Sequence, residues 1–136
     1  MIIVDDRLSL AALAGRRERF GGAADEAVAT TWGFHYRLVR ALADDRRVGR
    51  LTAATPAALR ERVLAPPAAD LLVLDPRELT GIAAAAAVRH GLNLLAAELV
   101  AAATTHQARI ALSTANVGRS WPAVFTAEGV DLQIVP

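Results

Sequence analysis

The stretch Glu98 to Asn116, ELVAAATTHQARIALSTAN, limits the architecture of this chain more than any other. Around Glu98 every position from Leu94 to Ala103 is apolar, the pattern of a helix buried nearly all round. After a short link, Arg109 to Ser113 reads as a buried strand ending in Ser113-Thr114-Ala115-Asn116. The amino terminus supplies a matching piece. Met1 to Val4 is a short apolar run with the continuity of a strand covered on both faces, and Asp5-Asp6 closes it. With both strands parallel in one sheet, their carboxyl ends open on the same edge, and Asp5, Asp6, Glu98 and Asn116 converge there.

The chain between these pieces alternates helix and strand. After Asp6, Leu8, Leu10 and Leu13 recur at helical spacing until Gly15. From about Ala23 to Leu42 the spacing of Val28, Trp32, Tyr36 and Val39 predicts one helix with those residues on its apolar face, Asp25 and Glu26 in its first turn and Arg37 and Arg40 near its end. Asp44 to Arg50 reads as a solvated turn, and Pro56 opens a helix capped by Thr55 and stopped by Pro66-Pro67. Leu71 to Leu74 reads as a buried strand. A helix follows from about Glu78 to Arg89 with His90-Gly91 as its carboxyl cap, then a helix from Leu92 to His106. Trp121 to Ala127 is a short helix, and Val130 to Val135 an edge strand marked by Asp131 and Gln133. This order predicts one domain over residues 1–136, a three-layer α/β/α fold with a mainly parallel central sheet.

Composition narrows the function. A chain of 136 residues is long enough for a core without staples. There is no cysteine, so disulfides, thiolate metal sites and a cysteine nucleophile are excluded, and a reducing, cytoplasmic setting is expected. The formal charge of +1 gives the whole molecule no strong attraction to nucleic acid, although all 15 basic residues are arginine. The apolar start is followed by acids without a basic leader, unlike a signal peptide. No apolar run reaches the ~20 residues of a membrane span, so no membrane association is expected.

Each candidate residue has a structural reading beside the chemical one. Asp5 or Asp6 at a strand end is placed for a ligand or for capping the next helix. Glu98 on an apolar helix needs a metal, a proton or a partner such as Arg89, unless it reaches solvent at the helix end. Asn116 either holds a water or phosphate oxygen or forms a turn. His35, His90 and His106 lack metal-ligand spacing, and no glycine-rich phosphate loop or serine elbow is present.

On MIIVDD and on ELVAAATTHQARIALSTAN, preceded by His90-Gly91-Leu92-Asn93-Leu94 and followed by Glu128-Gly129-Val130, the chain resembles the PIN-domain family. These are small metal-dependent ribonucleases that include toxins of bacterial toxin–antitoxin pairs. The resemblance covers both ends of the chain and little of its middle. It implies Asp5, Glu98 and Asn116 as catalytic positions, with Asp5, Asp6 and Glu98 as ligands for Mg²⁺ or Mn²⁺. A register shifted by two residues puts Ala96 at the helix-acid position. The family's second acid has no counterpart, since the region from Trp32 to Leu42 offers Tyr36 and Arg37 instead. Two carboxylates and an amide hold a divalent ion weakly, and an arginine opposes it. The resemblance therefore implies a site with an eroded acidic set, either a weak ribonuclease or a non-catalytic module that binds protein or RNA. It further implies a homodimer and an antitoxin-like partner.

Overall fold

A computed structural model describes residues 1–44 and 57–136. Five parallel strands form one sheet: β1 (Ile2–Val4), β2 (Val28–Thr30), β3 (Leu72–Val73), β4 (Arg109–Ser113) and β5 (Leu132–Val135). Their order is β3-β2-β1-β4-β5, and the register pairs Ile2 with Val28 on one side and with Arg109 on the other. Helices flank the sheet: α1 (Asp6–Leu13), α2 (Trp32–Ala43), α3 (Ala57–Leu64), α4 (Pro76–His90), α5 (Leu94–His106) and α6 (Trp121–Ala127). The expected α/β/α architecture with a parallel sheet is what the chain adopts.

Side chains alternate across each strand, and the core divides accordingly. Ile3, Ala29, Ile110 and Leu112 pack with α4, α5 and α6. Ile2, Val4, Val28 and Ala111 pack with Leu8 and Leu13 of α1, Leu38 and Leu42 of α2, and Val63 of α3. Both faces are covered, which is why the strands read as apolar runs rather than as alternating patterns. Asp75 caps α4, accepting from the Arg77 N–H at 2.9 Å, and Gly91 closes that helix at φ +65°. Asn93 caps α5 through the Ala96 N–H at 3.0 Å. Among the described residues no helix is long and apolar enough to cross a membrane.

One expectation is corrected. Residues 23 to 42 do not form a single helix: Val28–Thr30 is a strand, inserted between β1 and β3, and the helix begins only at Trp32. Val-Ala-Thr is too short to announce itself, and tertiary pairing to Ile2 and Ile3 overrides its local ambiguity. The error reverses a face. Trp32 and Tyr36 are exposed, whereas Phe34, Leu38 and Leu42 are buried. Glu26 opens no helix; it pairs with Arg109 at 2.7 Å. Of the expected buried strand Leu71 to Leu74, only Leu72–Val73 is strand, and these two are half-buried while Leu71 and Leu74 on either side are buried. The expected turn from Asp44 to Arg50, apart from Asp44 itself, and the helix start at Thr55 and Pro56 lie outside the described residues.

Arg89 and His90, at the end of α4, both bond Glu128 Oε1, at 2.6 and 2.5 Å, which joins α4 to the end of α6. The His90 bond, then the Arg89 bonds, hold the Glu128 carboxyl below its ordinary value of 4.5. A carboxylate whose pKa falls on folding stabilises fully above its unfolded value, and the contribution disappears as pH drops through the folded value. Glu128→Gln is therefore expected to cost less than about 1 kcal/mol at neutral pH, as befits a partly solvated pair. Urea unfolding at neutral pH and near pH 3 should show the difference between variant and wild type vanishing in acid. A constant difference would contradict this account.

Candidate functional site

In the order β3-β2-β1-β4-β5 the chain winds outward from β1 in one direction through β2 and β3, then in the other through β4 and β5. The direction reverses between β1 and β4, and the crevice at the carboxyl ends of those two strands is where open α/β sheets hold ligands. Asp5 follows β1 directly, and Ser113 ends β4.

Asp5 is fully buried. Its Oδ1 accepts the Leu8 N–H at 2.9 Å, capping α1. Its Oδ2 accepts three donors: the Ser113 N–H at 2.7 Å, the Ser113 hydroxyl at 2.6 Å and the Asn116 amide at 2.8 Å. A carboxylate offers about four lone-pair positions, and here four donors reach it. The capping reading of Asp5 is thus correct, and it is only part of the residue's work: the same side chain clamps β4 and the following turn to β1.

Asn116 lies in the short 3₁₀ turn Thr114–Asn116. Its Nδ2 donates to both Asp5 and Asp6, the latter at 2.6 Å. Its Oδ1 accepts from Arg37 at 3.2 Å. The amide orientation follows from the neighbours, because the opposite one would set an oxygen against two carboxylates. Arg37 also lies 3.4 Å from Asp6 Oδ2. Burial is the main cause raising the Asp6 carboxyl above the ordinary aspartate value; Arg37 opposes the rise, and Asp5 adds to it. Asp6 belongs to α1 and not to a strand, so the opposite-faces rule for neighbours does not separate it from Asp5. The result is a linked group of two carboxylates, one amide and one guanidinium.

Glu98 is bonded elsewhere. Only 5 % exposed, it neither reaches solvent nor pairs with Arg89. Its Oε2 accepts the Gly33 N–H at 2.9 Å, in the first turn of α2, where the helix dipole favours a negative charge. Gly33 permits this approach, since a Cβ there would stand 2.6 Å from the same oxygen. The two structural readings of Glu98, solvent at the helix end and pairing with Arg89, are both replaced by the terminus of α2.

Two threonines at the end of β2 were missed together with that strand. The Thr30 hydroxyl donates to the Val4 carbonyl at 2.8 Å, and the fully buried Thr31 Oγ1 has no hydrogen-bond partner among the described residues. The signal was the pair Thr30-Thr31 before an aromatic helix start, visible only once β2 is recognised. Thr114, expected on the same edge, directs its hydroxyl to the Val135 carbonyl at 3.1 Å.

Divalent ions such as Mg²⁺ and Mn²⁺ need hard oxygens with open lone pairs. At Asp5 those positions already accept N–H and O–H donors, Asp6 faces Arg37 and Asn116, and Glu98 faces Gly33. The residues as arranged do not fit such an ion. Among the described residues no group of three or more His, Cys, Asp or Glu side chains is placed to hold a metal. No protein-family model matches the sequence, and no match is found among the curated proteins.

Proposed function

We propose that this is a PIN-like domain, related to metal-dependent endoribonucleases, whose acidic edge is bridged by its own Arg37 and Asn116 and which acts by binding a protein or RNA partner. One observation carries the reading: the Asn116 amide sits between the Asp5 and Asp6 carboxylates and the Arg37 guanidinium stands against Asp6, where a ribonuclease of that kind would need a cation. Two carboxylates and one guanidinium leave one net negative charge, too little to hold a pair of divalent ions. The second reading is a weak Mg²⁺- or Mn²⁺-dependent ribonuclease of the toxin type. The placement of Asp5, Asp6 and Asn116 at the switch point favours it, but Asp5 would first have to release donors that are part of the fold.

Calorimetric titration with Mn²⁺ separates the two. Wild type is expected to give no binding heat up to about 1 mM, and no metal-dependent cleavage of RNA. Arg37→Glu, which supplies a carboxylate in place of the bridging cation, is expected to introduce binding. Micromolar binding by wild type that is lost in Asp6→Asn, together with Mn²⁺-dependent RNA cleavage, would reject the binding-module reading.

A further inference from the structure

We draw no further inference here: the strongest candidate, the exposed apolar patch on α4 formed by Gly81, Ala84, Ala85 and Val88, is a stripe of mostly small residues, and nothing in the structure shows what covers it.

Discussion

Asp5→Ala is expected to destabilise the protein by about 3–5 kcal/mol, the range for removing one partner of a buried charged network. The size follows from what is stranded. The Leu8 and Ser113 N–H groups, the Ser113 hydroxyl and the Asn116 amide all lose an acceptor. Each buried donor left unpaired costs about 1–3 kcal/mol unless water reaches it, and the cap of α1 is lost as well. Asp5→Asn should lie between, because an amide has one acceptor oxygen and cannot serve both the Leu8 side and the Ser113 side. Urea unfolding with an unchanged m-value measures all three proteins on one scale. The direction is diagnostic of function. A carboxylate held for a metal or a reaction is often strained in the free protein, and its removal then stabilises. A gain in stability for Asp5→Asn would count against the structural role assigned here.

The second large effect concerns Gly33 and Glu98, and its signature is non-additivity. Gly33→Ala places a methyl group 2.6 Å from Glu98 Oε2 and 2.9 Å from Leu95 Cδ2. Overpacking of a core costs about 1–3 kcal/mol, and the higher helix propensity of alanine offsets about 1 kcal/mol at most. Glu98→Ala leaves the Gly33 N–H without its acceptor and opens a void, for an expected loss of about 2–4 kcal/mol. In the double variant the methyl group enters the space the carboxylate vacated. The combined loss should therefore fall short of the sum by at least ~1 kcal/mol, within the coupling range for residues in contact. Additive losses would show that Glu98 does not stand against Gly33 in solution.

These two experiments bear on how an acidic edge is read. Four residues were candidates for one site. Asp5, Asp6 and Asn116 are one hydrogen-bonded group, and the fourth, Glu98, is bonded to the start of α2. Arg37, which the sequence offers where an acid was sought between Trp32 and Leu42, joins the group from α2. Its guanidinium stands 3.4 Å from Asp6 Oδ2 and offsets part of the negative charge of the group from within.

Local sequence determined the alternation of helix and strand at both ends of the chain. An apolar run of β-branched residues before Asp5, and an apolar helix leading into Arg109–Ser113, are patterns with few other solutions. The carboxyl cap at His90-Gly91 was readable for the same reason, since it depends on neighbours in sequence, whereas the helix expected from Leu92 begins at Leu94 behind the Asn93 cap. What only the tertiary structure decided was everything that depends on pairing across the sheet. Val28–Thr30 becomes a strand because Ile2 and Ile3 align with it, and this turns Trp32 and Tyr36 from core to surface. The fate of Glu98 depends on Gly33, 65 residues away, and the four-donor environment of Asp5 on a strand 108 residues away. A side chain's chemistry is set by the partners that burial brings to it, and no pattern of neighbours in the chain contains them.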